Sequence, residues 1–329
     1  MKDLIPLPLP PWAIELNRLG AAGESCFFLI DFELRKPLIF PGNAAKSHGV
    51  RFSFPSRPDR ERTGRSFPVL NPHHIPMVKF ERAFNLIQSG LRRGDSYLAN
   101  LTFPTPVDLE AGDLEDVYWA TQAKYRILLP NTFVCFSPET FVTIDEFNYL
   151  ETRPMKGTAA NTPEAIASLR GNPKEIAEHA TIVDLMRNDL SRVAGGVEVT
   201  DYRYLRPLER RGQGLVQTSS RVGGHLPPDW RSQLGQLLYT LLPAGSVSGA
   251  PKSATLDLIR EAEGGDRGYY CGIGGYFDGR QLDTCVLIRY LEKSGDRYLF
   301  RSGGGITALS RLEDEYAEMQ AKIRLPLGI

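Results

Sequence analysis

The chain has 329 residues, of which 42% are hydrophobic and 24% are charged, a composition typical of a globular protein that can bury a large core. Lysine plus arginine and aspartate plus glutamate total 39 each, so the net charge is near zero and the basic excess of a nucleic-acid-binding protein is missing. No apolar run is long enough to cross a membrane, and prolines rather than a signal-peptide core follow Met1, so we expect a cytoplasmic protein with no membrane partner.

The region before residue 76 divides into an apolar part and a polar part. Residues 26–30 are continuously apolar and predict a buried strand. Residues 41–72 are rich in arginine, serine, proline and glycine, which we interpret as an exposed, mobile loop. A phosphate-binding patch is the alternative interpretation of its arginines, which are Arg57, Arg60, Arg62 and Arg65.

The next segment predicts a helix followed by a strand. Helical spacing from residue 78 places one apolar face toward the core, and Gly94 ends the pattern. Residues 95–103 then predict a strand. The apolar face of this helix consists of Phe80, Phe84, Ile87 and Leu91.

The middle of the chain predicts paired strands and a capped helix. Residues 133–136 and 141–152 are expected to pair through a turn at Ser137-Pro138-Glu139. Asn172 followed by Pro173 is a typical helix start, and this helix should run to about Asp189.

The C-terminal part alternates helices, strands and glycine-rich turns. Helices are predicted at 230–242 and 253–263, separated by the glycine-rich loop 243–252. Strands are predicted at 269–277, 282–292 and 298–302, with Gly303-Gly304-Gly305 breaking the last one. A final helix carries the apolar stripe Leu312, Tyr316, Met319 and Ile323. With no internal repeat and no evident boundary, these elements predict one α+β domain over residues 1–329.

Lys156 is the first candidate for a chemical role. It follows Pro154 at the end of a predicted strand and precedes Gly157, so rigid backbone would hold it with its amine free to face a cleft. Position alone is weak evidence, because most lysines are solvated surface charges.

Two helices carry glutamates with i, i+3 spacing, which places both carboxylates on one helix face. If the two faces met across a cleft, their oxygens would suit Mg²⁺; acidic faces that simply meet water are the alternative. Ser310 and Glu313 fit a capping box, and capping by Asn172 competes for Glu175. The pairs are Glu175 with Glu178 and Glu315 with Glu318.

Two glycine-rich segments and one arginine suggest an anion site. Residues 303–305 and 245–249 could present successive backbone N–H groups, although neither matches a nucleotide-binding fingerprint. Arg289 lies in an apolar predicted strand, where its partner is either a substrate carboxylate or a carboxylate of the protein. The four cysteines lack CxxC spacing, which argues against a zinc site.

Four long segments together resemble the chorismate-utilising enzymes. They are residues 178–190, 243–252, 283–289 and 303–322, and the resemblance runs in register from about Phe80, so residues 76–329 form the matching core. It implies the α+β fold of that family, with mostly antiparallel sheets in a sandwich-like core surrounded by helices. Relatives carry a longer N-terminal region with a tryptophan pocket; the shorter portion at 1–75 here predicts no feedback control by tryptophan.

The lysine distinguishes branches within the family. Anthranilate, isochorismate and salicylate synthases resemble one another in having alanine at this position, whereas Lys156 between Pro154 and Thr158 resembles component I of the aminodeoxychorismate synthases. That resemblance implies attack of the Lys156 amine on C2 of chorismate as the 4-hydroxyl leaves, followed by addition of ammonia at C4 to give 4-amino-4-deoxychorismate for 4-aminobenzoate and folate synthesis. Ammonia would come from a separate glutamine amidotransferase subunit.

Two alternatives remain open for this function. Anthranilate synthase component I differs in eliminating pyruvate, so the product separates the two reactions. A non-catalytic chorismate-binding subunit is suggested by Gln217, which occupies the position of a family histidine near the leaving hydroxyl and cannot protonate it.

The resemblance also implies roles for the other candidates. Glu139 is similar to the family's general acid/base. Arg289 and Tyr270, with backbone N–H groups near Gly303 and Gly305, are similar to the groups that hold the enolpyruvyl carboxylate. Further substrate contacts are implied for Ser246, Gln217, Thr158 and Lys322, and Mg²⁺ ligation for Glu178, Glu315 and Glu318, with Glu175 acting through water.

Overall fold

The computed structural model describes residues 8–59, 68–208 and 214–327. Its α-helices are α1 Pro11–Ala22, α2 Ala44–Ser47, α3 Met77–Arg93, α4 Leu114–Ala120, α5 Pro163–Gly171, α6 Pro173–Leu190, α7 Leu234–Leu241, α8 Lys252–Glu263 and α9 Leu312–Ala321. Its strands are β1 Cys26–Ile30, β2 Leu38–Pro41, β3 Arg51–Ser53, β4 Val69–Pro72, β5 Leu98–Glu110, β6 Tyr125–Leu129, β7 Phe133–Ser137, β8 Thr140–Ile144, β9 Tyr149–Thr152, β10 Met155–Ala160, β11 Gly195–Leu208, β12 Leu215–His225, β13 Gly249–Ala250, β14 Ile273–Phe277, β15 Leu282–Val286, β16 Tyr290–Ser294 and β17 Arg297–Ile306.

The strands form two antiparallel sheets. The first has the order β10-β12-β9-β8-β15-β14-β1-β2, and β11 also pairs with β12. The second has the order β13-β5-β17-β16-β7-β6-β3, and β4 also pairs with β5. Phe28 of the first sheet and Phe133 of the second belong to one buried cluster, so the sheets share a core. The expectation of an α+β protein with a sandwich-like antiparallel core is confirmed.

The helices cover the sheets where the sequence is periodic. In α3, Phe80, Phe84, Ile87 and Leu91 are buried, as predicted from their spacing, and they pack with α8, α9 and β5. Gly94 ends α3 in the left-handed conformation, with φ of 84°. No helix in the described ranges is both long and apolar enough to cross a membrane.

Two predicted strand arrangements are wrong for the same physical reason. Strands β7 and β8 do not pair with each other; Ser137-Pro138-Glu139 carries the chain from the second sheet to the first. The apolar run 282–292 is likewise two strands, β15 in the first sheet and β16 in the second. In both places the chain passes from one sheet to the other, and the sheet that a strand joins is set by its distant pairing partners rather than by the local residues.

The polar region 41–72 is more structured than the mobile loop predicted for it. It contains α2, β3 and β4, and Phe52 and Phe54 are buried there. The guanidinium of Arg57 lies 4.8 Å from the ring centre of Phe52, a cation–π contact. Arg60, Arg62 and Arg65 lie outside the described residues.

The predicted capping box before α9 is also wrong. Arg311, not Ser310, is the N-cap, and it makes no side-chain cap hydrogen bond. Ser310 instead accepts a hydrogen bond from the backbone N–H of Thr307 at 3.1 Å. The Ser310 hydroxyl therefore bonds to a residue before it in the chain rather than to the first turn of α9, and the capping box with Glu313 does not form.

Candidate active site

Lys156 lies on β10 beside a bulge that aims it at the second sheet. The register with β12 shifts between Lys156 and Thr158, and Gly157 at the bulge has φ of 74°, which favours glycine. A side chain on Gly157 would also come within 2.6 Å of the Glu175 carboxylate. The hydroxyl of Thr218 on β12 donates to the Lys156 carbonyl and fixes the backbone.

The Lys156 amine contacts a carboxylate and a glycine. Its Nζ lies 3.6 Å from Oε2 of Glu178. It also lies 3.2 Å from the point where a Cβ of Gly305 would stand, so any side chain at residue 305 would crowd the amine. Gly303-Gly304-Gly305 does not break the last strand as predicted, because β17 continues to Ile306 and pairs with β5 throughout.

A lysine joins carboxylates of α6 and α9, the two helix faces that would have to meet to form a metal site. Asn172 caps α6 by accepting hydrogen bonds from the N–H groups of Lys174 at 2.9 Å and Glu175 at 3.3 Å, which sets the helix phase. Lys174 then lies between the two helices, with its Nζ 3.8 Å from Glu178 and 3.2 Å from Glu315. Oxygens of Glu315 and Glu318 both approach Gly304 of β17.

Lysines compensate the charge of these glutamates. Lys322 donates to Oε1 of Glu318 at 2.7 Å and to the carbonyl of Gly303 at 2.7 Å. Burial raises the pKa of Glu318, but Lys322, Lys156 and Lys174 outweigh it and lower the pKa. Burial raises the pKa of Glu178 against the opposing effect of Lys156 and Lys174.

These side chains do not form a closed cation site. In the described ranges, no three histidine, cysteine, aspartate or glutamate side chains are close enough together to hold a metal ion. The hard carboxylate oxygens that Mg²⁺ prefers are nevertheless present around Gly304, with lysines now paired to them. The chemistry of these carboxylates suits Mg²⁺, although their oxygens are not gathered around one point, and the assignment stays a prediction.

Glu139 lies in the crossover between β7 and β8, facing the same cluster. Burial raises the pKa of Glu139, while a hydrogen bond with Ser246 and the charges of Lys156, Lys322 and Arg289 oppose the shift. Its backbone N–H donates to the Ser137 hydroxyl at 3.1 Å. The crossover that sequence reasoning took for a hairpin turn is thus what brings this carboxyl next to the lysine.

The apolar neighbours of Arg289 predicted that it lies within a strand, and this prediction is wrong. The residue stands between β15 and β16 with φ of 55°, a conformation uncommon for a residue with a side chain. Its guanidinium donates to the backbone carbonyl of Lys322 at 3.3 Å, and its own carbonyl accepts from the N–H of Phe136 at 3.0 Å. Tyr270 is buried nearby, and burial raises the pKa of its hydroxyl well above the ordinary value.

The glycine-rich loop 243–252 carries Ser246 and is held by a buried ion pair. It forms a 3₁₀ turn at Gly245–Val247 and then β13, which pairs with β5. Nζ of Lys252 lies 3.1 Å from the carboxylate of Asp189 at the end of α6 and donates to the carbonyl of Leu241 at 3.0 Å. Burial raises the pKa of Asp189 and lowers that of Lys252, in each case against the effect of the partner.

Removing one partner of this pair should be costly. Lys252→Met leaves the Asp189 carboxylate buried without a counter-ion, and we expect the free energy of unfolding in urea to fall by about 3–5 kcal/mol. Arg260→Met is the matched control, because it removes the exposed pair with Asp257, which should be worth less than about 1 kcal/mol. Equal losses in the two variants would contradict a special role for the buried pair.

Gln217 and Thr158 lie one step along the strands from Lys156. They face each other across β10 and β12, next to the pair of Lys156 and Thr218. Thr158 is exposed and Gln217 half-buried. Their contact with a substrate stays a prediction.

Sequence reasoning missed two residues that shape this site. Lys174 stands four residues before Glu178, so its place on the acidic face of α6 was available from helical spacing. Thr218 meets Lys156 only through strand pairing, and no local signal in the sequence reveals that contact.

The chain belongs to the family of chorismate binding enzymes, because a model of that family matches residues 44–328. An uncharacterised PabA-like protein from Pasteurella multocida is 45% identical over 318 residues, covering 95% of this chain and 98% of that protein. Aminodeoxychorismate synthase component 1 from Salmonella typhimurium is 31% identical over 266 residues, covering 76% of this chain and 57% of that enzyme.

Two solved structures share the fold. Anthranilate synthase component I from Streptococcus pneumoniae has a TM-score of 0.64 at 28% identity, covering 82% of this chain and 61% of that one. The menaquinone-specific isochorismate synthase from Escherichia coli has a TM-score of 0.67 at 17% identity, covering 95% of this chain and 78% of that one. At that low identity, the second comparison supports the fold alone.

Proposed function

We propose that this chain is an aminodeoxychorismate synthase component I, which converts chorismate and ammonia into 4-amino-4-deoxychorismate. One observation carries the proposal. The amine of Lys156 lies 3.6 Å from the Glu178 carboxylate and is close enough to Glu139 for its charge to lower the pKa of that carboxyl. The 31% sequence identity to aminodeoxychorismate synthase component 1 from Salmonella typhimurium supports this reaction. The words 'component 1' in that name support a separate subunit, which we propose supplies ammonia from glutamine.

Lys156 acts as the nucleophile. The lone pair of its amine forms a bond to C2 of chorismate, the ring double bonds shift, and the C4–O bond breaks. The 4-hydroxyl leaves as water after taking a proton. Ammonia then adds at C4, the double bonds shift back, and the C2–N bond to Lys156 breaks. Two substitutions by good nucleophiles replace one difficult displacement.

Glu139 supplies the proton to the leaving hydroxyl. Its raised pKa keeps the carboxyl protonated at a higher pH than an exposed glutamate would allow, which suits a general acid. Ser246 acts in the opposite direction and lowers the pKa of this carboxyl. Gln217 can accept or donate a hydrogen bond at the hydroxyl but cannot protonate it, so the acid role falls to Glu139.

Basic side chains, together with Mg²⁺ held by protein carboxylates, would bind the two carboxylates of chorismate. Arg289 and Lys322 are joined through the Lys322 carbonyl and present two cations to an acidic group. Glu178, Glu315 and Glu318 would hold Mg²⁺, with Glu175 acting through water; when bound, the ion neutralises the ring carboxylate. Arg289 and Lys322 then orient the ring of chorismate so that C2 faces Lys156.

Glu139→Gln tests the acid role. The amide keeps the shape and can still bond to Ser246, but it cannot give up a proton to the leaving group. We expect kcat to fall by about a hundredfold or more, with the KM for chorismate nearly unchanged. Glu146→Gln, in the exposed turn after β8, is the control and should leave both constants unchanged. A kcat within a factor of about three of the wild type would remove Glu139 from the mechanism.

The product decides the function. The purified chain is incubated with chorismate, Mg²⁺ and ammonium, and the product is identified by mass. 4-Amino-4-deoxychorismate supports the proposal. Anthranilate, isochorismate or unchanged chorismate would each contradict it.

A further inference from the structure

Asn100 on β5 has a buried side-chain oxygen without a partner. Among the described residues, no group donates a hydrogen bond to its Oδ1. The backbone of Asn100 is fully used, since its N–H donates to Ser248 at 2.9 Å and its carbonyl accepts from the Arg267 guanidinium at 2.6 Å. An unpaired buried acceptor is costly, so a donor that reaches it in the working enzyme is expected.

The pairing of β5 shows which face this oxygen is on. Asn100 stands opposite Gly305 of β17. Its neighbours Ala99 and Leu101 belong to the cluster under α3, α8 and α9, so alternation places Asn100 on the opposite face. Leu98 shares that face, and its Cδ1 lies 3.0 Å from the Cβ position of Gly305.

Lys156 occupies the same space in front of Gly305. Its Nζ lies 3.2 Å from the Cβ position of Gly305, and residues paired across antiparallel strands have Cβ atoms about 5 Å apart. The side chain of Asn100 therefore lies on the same face of the sheet as the lysine amine, beside Gly305. The carboxylate of Glu178 lies 3.6 Å from the same amine.

We propose that Asn100 is a positioning residue for Lys156, whose amine donates a hydrogen bond to Asn100 Oδ1 when it attacks. The inference rests on the proposed function, because it assigns the attack to Lys156. An amide oxygen holds one N–H of the amine and so directs the lone pair of the amine, which a distant carboxylate does not do. Glycine at residue 305 leaves the path between the two groups open.

Two substitutions of similar size test this role. Asn100→Leu removes the acceptor and keeps the volume, whereas Asn100→Asp keeps an acceptor oxygen in place. With ammonium as the nitrogen source, we expect Asn100→Leu to lower kcat by about tenfold to a hundredfold, with the KM for chorismate changed less than about threefold. For Asn100→Asp, the decrease in the logarithm of kcat should be smaller than that of Asn100→Leu by at least a third. Asn71→Leu, an exposed asparagine on β4, is the control.

A second measurement does not depend on turnover. Reductive methylation of Lys156 by formaldehyde, followed by peptide mass spectrometry, should be faster in Asn100→Leu than in the wild type and in Asn100→Asp. Unchanged kcat, a loss confined to KM, or equal methylation in all three proteins would overturn the proposal. If the wild type forms no 4-amino-4-deoxychorismate, the proposed function fails, and the methylation rates still decide whether Asn100 contacts Lys156.

Discussion

Lys156→Ala is expected to abolish formation of 4-amino-4-deoxychorismate, with kcat lowered by at least about a thousandfold. The methyl group cannot form the bond to C2, so ammonia would have to displace the 4-hydroxyl directly. The backbone should be unaffected, because the hydrogen bond from Thr218 goes to the carbonyl of residue 156 and not to its side chain. Product formation is followed by mass with saturating chorismate and ammonium.

Two companion variants separate nucleophilicity from charge. Lys156→Arg keeps a cation beside Glu178 but offers a guanidinium, which stays protonated and is a poor nucleophile. It should be as inactive as Lys156→Ala. Lys293→Ala, on the exposed end of β16, should be fully active. Substantial turnover by Lys156→Arg would reduce the lysine to an electrostatic role.

Glu318→Gln is expected to weaken activation by Mg²⁺ more than tenfold and to lower activity at a fixed Mg²⁺ concentration by about a hundredfold. The pKa of Glu318 is already lowered by Lys322, Lys156 and Lys174, so the carboxylate is charged at neutral pH and available as a hard ligand. An amide lacks that charge. Activity is titrated with Mg²⁺, and binding is measured by calorimetry in the presence of chorismate.

The control for Glu318 lies on the same helix. Glu313→Gln changes an exposed carboxylate at the start of α9 by the same chemistry, and it should leave the Mg²⁺ titration unchanged. If Glu318→Gln and Glu313→Gln gave the same titration as the wild type, the metal assignment for α9 would be wrong.

Local signals predicted α3 and α6 well, whereas α1, α4 and α5 were not predicted. The apolar spacing of Phe80, Phe84 and Ile87 gave the buried face of α3, and Asn172 with Pro173 gave the start of α6. Both features act within one or two turns of the chain, so nothing distant needs to be known.

The sheet crossovers could not be read in the same way. Ser137-Pro138-Glu139 and the segment around Arg289 each look like part of one local structure, yet each joins strands of different sheets. Which sheet a strand joins depends on pairing with residues far along the chain, and a single sequence does not record that pairing. Both misassigned segments carry candidate site residues.

The candidate site shows the same difference between features set by local sequence and features set by long-range contacts. Short motifs identified Lys156, Glu178 and Glu318 as candidates, and the structure brings them to one place. The contact of Lys174 with Glu315 and the position of Asn100 opposite Gly305 each depend on two separate elements. Composition could not indicate those contacts.

The position of Lys174 between Glu178 and Glu315 has a consequence for how the site is kept ready. Like charges on two helices would repel each other if nothing stood between them, but here the chain carries its own counter-ion. Lys322 does the same for Glu318. The two helices can therefore close on one another during folding without waiting for a dissolved cation, and an arriving ion would compete with ammonium groups of the chain rather than with water. Folding of these helices and binding of a cation, if Mg²⁺ binds as proposed, would then be separate events.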